Sequence, residues 1–296
     1  MNNKRRALSL LALVIAGESI FLLPFVFPRI FRPTLLEVFD LTNLELGTAF
    51  AAYGLIAMAA YFFGGPLADK FPARILIATA LTFTAAGGLV MMTIPPHSTL
   101  VGLYAYWGVT TIALFWAPLI RATRQLGGDD AQGRAFGLLD GGRGLLAALM
   151  GLITVMLFAA LLPEDSVTAS SGQRETALRQ IIMWLSAMTF GAAVLVWFAL
   201  PKSAPAQTSA QERLSFRGIV HVFAMPTVWL QAAIILCAYV GFKAIDDFSL
   251  YANQVVGLDQ VDAARAGVVS LWVRPVAAIG AGFLADRIGA STMTVT

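Results

Sequence analysis

The sequence predicts an all-α polytopic membrane protein, and three observations carry that prediction. Of its 296 residues, 58% are apolar and only 12% are charged, about half the charged share of a water-soluble domain. The mean hydropathy is +0.76. Long runs such as IIMWLSAMTFGAAVLVWFAL (181–200) carry no charge and match the ~20 residues a helix needs to cross a ~30 Å hydrocarbon core.

The first apolar stretch starts behind Lys4, Arg5 and Arg6 and continues to about Phe27. It outruns the apolar core of a cleaved signal, so 7–29 reads as a span. The second span, 45–65, ends at Pro66 and the charged pair Asp69–Lys70. Spans at 73–94 and 99–120 meet at the turn PPHST (95–99), and spans at 134–162 and 179–200 flank the polar loop PEDSVTASSGQRETALRQ (163–180). Next comes PKSAPAQTSAQERLSFRG (201–218), whose Pro, Ala, Ser and Gln read as a flexible linker. It runs into an amphipathic stretch, LSFRGIVHVFAM (214–225), suited to the membrane surface. Spans seven and eight follow at 226–252 and 263–285. The chain therefore divides into a six-helix bundle (1–200), a linker (201–225) and the start of a second bundle (226–296).

With the N-terminus inside, twelve of the 20 Lys and Arg residues fall on the inner side, five on the outer side (Arg29, Arg32, Arg174, Arg179, Arg265), and three within spans. This bias sets the orientation and accounts for the pI of 9.2 without a nucleic-acid partner. The lone cysteine, Cys237, excludes an intrachain disulfide. His97 and His221 fall on opposite sides of the membrane, so they build no metal site and no hydrolytic triad. No cofactor is expected.

One motif occurs twice, FGGPLADKF at 63–71 and AGFLADRIG at 281–289. Both copies fall at the inner end of an even-numbered span. In each, a Gly permits close backbone approach, Leu-Ala completes the apolar face, and an acid then a base emerge where the helix leaves the membrane. The acid can face the positive end of a neighbouring helix. Two copies in register across a linker indicate an internal parallel repeat.

These residues resemble the major facilitator superfamily. Gly65, Asp69, Lys70 and Arg74 match its loop between spans two and three, and Gly282, Asp286 and Arg287 match the counterpart between spans eight and nine. Pro72 and Ala73 depart from the pattern. The resemblance implies two six-helix bundles related by a parallel repeat, with the second incomplete in this chain. It also implies that the seven residues form an inner charge lock that breaks as the bundles rock. The stretch 117–151 is similar to facilitators of the organic-anion and sugar-phosphate type. Tyr104 stands where proton-coupled drug antiporters of the family carry Arg.

Ionisable residues inside spans are the candidate site, because each costs roughly 2.5–3.5 kcal/mol at mid-bilayer unless paired or wet. Glu18 and Arg274 lie roughly 16 Å, and Arg143 roughly 13 Å, into their helices. Lys243 lies nearer the outer side. Asp140 precedes Arg143, and Asp246–Asp247 follow Lys243, at i,i+3 and i,i+4 spacing, so local ion pairs compete with a binding role. Gly137, Gly141, Gly142 and Gly144 surround Asp140 and Arg143 and let a neighbouring helix approach. Arg274, before Pro275, has no acid within one turn. Its partner is either Glu18 across the bundle or a carboxylate or phosphate of the substrate.

The resulting expectation is a secondary transporter of the inner membrane, acting as a monomer on a small organic anion by alternating access. Arg143, Lys243 and Arg274 would bind substrate, and Glu18 would couple to protons. The rivals are a neutral-solute or drug carrier whose buried bases are all ion-paired, and a non-transporting membrane sensor or relic. No nucleophile–base pair argues for an enzyme.

Overall fold

A computed structural model describes residues 3–127, 132–163, 168–201 and 221–289. The linker from 202 to 220 and the start of a ninth span beyond 289 lie outside the described residues. So does the amphipathic stretch before His221.

Among the described residues, eight helices are long and apolar enough to cross a membrane: Arg5–Ile30, Asn43–Lys70, Ala73–Met91, His97–Gly127, Gln132–Leu161, Ser171–Ala199, Pro226–Gln254 and Gln260–Ile288. They are called spans one to eight. Each overlaps a span expected from the apolar runs, but span four runs on to Gly127 and span six begins at Ser171, inside the stretch expected to be a polar loop. Side-chain chemistry fixes two of the starts. Thr42 accepts from the Glu45 backbone N–H while the Glu45 carboxylate accepts from that of Thr42, and Ser170 and Gln173 repeat the arrangement before span six.

Spans one to six enclose two main apolar clusters. Toward the N-terminal face, Leu13, Ile20, Leu81, Phe115, Leu119 and Val196 pack together. Toward the opposite face the core gathers Phe27, Phe31, Tyr104, Trp107 and Phe158. Spans seven and eight join this bundle unequally. Span eight lies along span five, where glycines remove the side chains that would hold the helices apart. A Cβ at Gly137 would sit 2.9 Å from Gly282 Cα, and one at Gly144 would sit 2.9 Å from the Arg274 side chain. Span seven is exposed along its first turns and is buried only past Lys243.

Four spans are not uniform α-helices. Span one widens into a π segment at Leu22–Val26, around Pro24, and span four does so at Val109–Trp116. Span seven tightens to a 3-10 turn at Ala244–Asp247, and span eight at Ser270–Trp272, just before Pro275. Such interruptions release backbone groups and re-aim side chains. Here the Tyr104 hydroxyl donates to Pro24 O at 3.0 Å.

Two expectations are corrected by the fold. Arg29 and Arg32, counted with the outer loops, are 6% and 4% exposed. Span one continues as helix through Pro28 to Ile30, and a short helix, Arg32–Val38, follows at once. Phe27, Ile30, Phe31 and Leu35 drag both arginines inward. The close approach expected at Gly65 also fails, because a Cβ there would meet nothing within 4 Å. Its neighbour Gly64 faces span four instead, with Ile112 O at 3.3 Å from such a Cβ.

Candidate functional site

The interrupted stretches of spans one and four line a cavity of about 730 Å3, within the range of small-molecule sites. Lys243 and Arg274, which also line it, adjoin the interruptions of spans seven and eight. Among the described residues its charged lining is Glu18, Arg29, Asp140, Arg143, Lys243 and Arg274. All four residues expected to bind substrate or protons therefore reach the same space. The rest of the wall is largely aromatic, with Phe21, Phe25, Phe50, Tyr53, Trp116 and Tyr239. Tyr104 and Trp107 are fully buried packing residues instead.

Two ion clusters occupy this wall. The first joins spans one, five and eight. Arg143 Nη1 donates to Asp140 Oδ1 at 2.9 Å, and Arg274 Nη2 donates to the same oxygen at 3.1 Å. Glu18 Oε2 lies 3.4 Å from Arg143 Nε and 3.9 Å from Arg274 Nη1. Arg143 Nε donates to Gly17 O at 2.9 Å, and only a glycine leaves room for that reach, since a Cβ at 17 would lie 2.8 Å from Arg143 Cδ. The guanidinium of Arg143 also faces the Phe21 and Trp116 rings, each at 5.6 Å. Asp140 is the open member of the cluster, and Glu18 and Arg143 are closed off from solvent. Arg274 thus meets both Glu18 and an acid from span five.

The second cluster joins the end of span one to span seven. Arg29 Nε donates to Asp246 Oδ1 at 2.7 Å, with Nη2 at 2.5 Å from the same atom. Lys243 holds the other oxygen, Oδ2. Lys243 Nζ also lies 5.0 Å from the centre of the Phe25 ring and 5.6 Å from that of Phe50. Alongside, Arg32 Nε is 3.0 Å from Asp247 Oδ1 and donates to Asn43 Oδ1 at 2.8 Å. Ser249 Oγ donates to Arg29 O at 2.7 Å. Reading the chain missed Arg29 and Arg32. The available signal was two arginines in an apolar, proline-punctuated stretch, FVFPRIFRP, and two consecutive acids, Asp246 and Asp247, with only one base, Lys243, within a turn of them.

The repeated motif meets the bundle differently in its two copies. Asp286 accepts from the Arg134 backbone N–H at 3.0 Å and from Arg134 Nε at 3.1 Å. It thus faces the first turn of span five, where the helix dipole favours an anion. Asp69 lies 3.6 Å from Arg121 Nη1 at the end of span four. Arg121 also donates to Ala68 O. Arg74 stacks on Trp197 at 4.5 Å, whereas Lys70 and Arg287 are exposed.

Eight apolar helices, two of them closed on the first bundle by glycine contacts and buried ion pairs, define a polytopic helical membrane protein with a charged central cavity. The chain belongs to the Major Facilitator Superfamily, a family of membrane transporters, whose sequence model matches residues 8–296. It is similar to Inner membrane protein YqcE of Escherichia coli (strain K12), with 26% identity over 271 residues, covering 90% of this chain and 61% of that protein. It is also similar to Inner membrane protein YihN of the same organism, with 24% identity over 281 residues, covering 93% and 64%. The chain therefore spans a little over three-fifths of the length of these curated relatives.

Proposed function

We propose that the protein is a secondary transporter of the inner membrane that carries a small organic anion through this cavity by alternating access. The observation that supports it most directly is the cavity's formal charge: four bases and two acids line it among the described residues. They sit at a depth where the unwound helices of such carriers bind substrate. In this reading Arg143, Arg274 and Lys243 set the potential that attracts the anion. Glu18 is the coupling group, since a closed-off carboxylate touching two arginines can exchange those contacts for a proton as the helices shift. Asp286 with Arg134, and Asp69 with Arg121, belong to the inner charge lock, and the N-terminus lies inside.

One observation favours a neutral solute instead: Arg143 and Arg274 already contact Glu18 and Asp140. Both readings are tested by thermal unfolding of the purified protein against small carboxylates and phosphates, neutral sugars and lipophilic cations, because a ligand stabilises the state that binds it. Stabilisation by anions, weakened in Arg274→Gln, is the expected result. Stabilisation only by neutral or cationic compounds would overturn the anion reading. For coupling, uptake driven by a pH gradient in proteoliposomes should become independent of that gradient in Glu18→Gln. Unchanged dependence would remove Glu18 from the role.

A further inference from the structure

The two clusters offer an incoming anion different receptions. At the Glu18 end, the two arginines share two carboxylates, so an anion binding there would face both acids at short range and would have to displace one from each base. At the other end, one carboxylate, Asp246, serves two bases through different oxygens, Oδ1 to Arg29 and Oδ2 to Lys243. An anion that takes Lys243 from Asp246 leaves that carboxylate still held by Arg29. No buried charge is stranded, which is the costly outcome when one partner of a buried pair is removed.

Access points the same way. The Lys243 side chain is 32% exposed, against 26% for Arg274, 8% for Arg143 and 7% for Arg29. Lysine is a flexible point charge that gives up one partner for another readily, whereas a forked guanidinium holds its acceptors in fixed geometry. The flat walls beside the ammonium are Phe25 and Phe50, with Tyr53 and Tyr239 also lining the cavity. Cations already stand over the Phe25 and Phe50 faces, so the remaining aromatic wall meets whatever body the anion carries. Among the described residues, acids and bases balance in the first cluster, and in the second Arg29, Arg32 and Lys243 exceed Asp246 and Asp247 by one base.

We propose that Lys243 is the anion subsite of the cavity, and that it takes a singly charged carboxylate or sulfonate borne on a compact ring, displacing Asp246 onto Arg29 alone. This rests on the anion-carrier reading and sharpens it. Lys243 grips the charged group, the aromatic wall that includes Tyr53 and Tyr239 packs on the ring, and Arg29 is a positioning residue that acts through Asp246. Asp246 ties span seven to span one through Arg29, whereas its pair with Lys243 lies within span seven, so ligand arrival frees Lys243 without breaking that junction.

The test is thermal unfolding of the protein in phosphatidylethanolamine–phosphatidylglycerol nanodiscs. The probes are benzoate, benzenesulfonate and D-glucuronate, the neutral benzamide and D-glucuronamide, and the doubly charged phthalate and glucose 6-phosphate. At least one monoanion should stabilise the protein where its neutral amide does not, and it should do so more strongly than the dianion on the same ring. Lys243→Gln should weaken the apparent affinity at least tenfold, and Lys243→Arg should retain most of it. The proposal is overturned if no monoanion stabilises, if a dianion stabilises more, or if the monoanion effect survives Lys243→Gln. Loss in both Lys243→Gln and Lys243→Arg, with a lower melting temperature before ligand is added, would mark Lys243 as purely structural and also overturn it. If anion binding survives Lys243→Gln but is lost in Arg274→Gln, the subsite falls and the anion carrier stands. If only neutral or cationic probes bind, both fall.

Discussion

Replacing Gly282 by alanine adds one methyl group where the structure has no room for it. The new Cβ would lie 2.7 Å from Gly137 Cα and 2.8 Å from Gly133 O. Both are backbone atoms of span five, so no side chain can rotate away. Carbon atoms settle at about 3.5–4.0 Å, and the two helices must therefore separate by about 0.8–1.3 Å at this point. Asp286 lies one turn further along span eight, and its bonds to Arg134 measure 3.0 and 3.1 Å. The same displacement stretches them past the ~3.5 Å at which a hydrogen bond ceases to count. Overpacking of this kind costs about 1–3 kcal/mol, equivalent to a roughly 5- to 150-fold shift between packed and separated arrangements. Hydrogen–deuterium exchange in the peptide that begins span five reads this directly, since the Arg134 amide is one of the bonds lost. Exchange there should quicken by a factor in that range, and the melting temperature should fall. Gly280 supplies the control: it lies two residues away, and a Cβ there would meet nothing within 4 Å. Gly280→Ala should leave exchange unchanged and stabilise the helix by up to about 1 kcal/mol through propensity alone. If Gly282→Ala and Gly280→Ala behave alike, the close contact between spans five and eight is not what holds Asp286 in place.

Other changes follow from single contacts. Glu18→Gln removes a buried charge from beside Arg143 and Arg274 and should destabilise by about 3 kcal/mol, the low end for breaking a buried pair, because Asp140 still reaches both bases. Thermal unfolding should show the loss largely restored in Glu18→Gln combined with Arg143→Met. Tyr104→Phe deletes the donor to Pro24 O and should cost about 0.6–1.7 kcal/mol, the range for hydrogen bonds between membrane helices; an unchanged melting temperature would mean the π segment needs no such support. Thr42→Ala removes the side-chain cap of span two and should cost about 0.5–2 kcal/mol. Thr42→Ser should recover most of that cost in the same assay.

The eight spans were legible because crossing a membrane demands a long apolar run, and that demand is written locally in the chain. So were the pairs Asp140–Arg143 and Lys243–Asp246, which one helical turn brings together. The approach of Arg274 to Glu18 was one of two partners the sequence left open. What stayed hidden depends on positions distant in the chain. Arg29 was counted on the outer side from its place at the end of span one, and its partner Asp246 is more than two hundred residues away. The motif's acid pointed to a helix N-terminus somewhere, but which helix depends on the tight row of glycines between spans five and eight. Gly65 and Gly282 occupy equivalent places in the repeat and face different surroundings, which a repeat in sequence alone does not reveal.

The charged contacts between the first bundle and spans seven and eight fall at three depths. Asp286 with Arg134 lies at the N-terminal face, Arg274 with Asp140 and Glu18 in the middle, and Arg29 with Asp246 and Arg32 with Asp247 toward the other face. In the proposed rocking cycle the outermost contacts must open in alternation while the middle one acts as pivot. Ion pairs suit that task better than apolar packing of equal extent. A buried pair contributes little net stability, because desolvation offsets most of the Coulombic gain, and once a cavity opens water restores the hydration of both charges. Apolar surface exposed by the same movement would cost about 25 cal/mol for every Å2. An interface held by charges can therefore part at either end for a small free-energy difference and still close on a single register, since a charge that misses its partner on closing remains buried at a penalty of several kcal/mol. The uninterrupted helix Val273–Ile288 supplies the complementary constraint: it holds Asp286 and Arg274 in line, so opening at Asp286, which must also part the close glycine contacts with span five, tilts the helix that carries Arg274 rather than bending it.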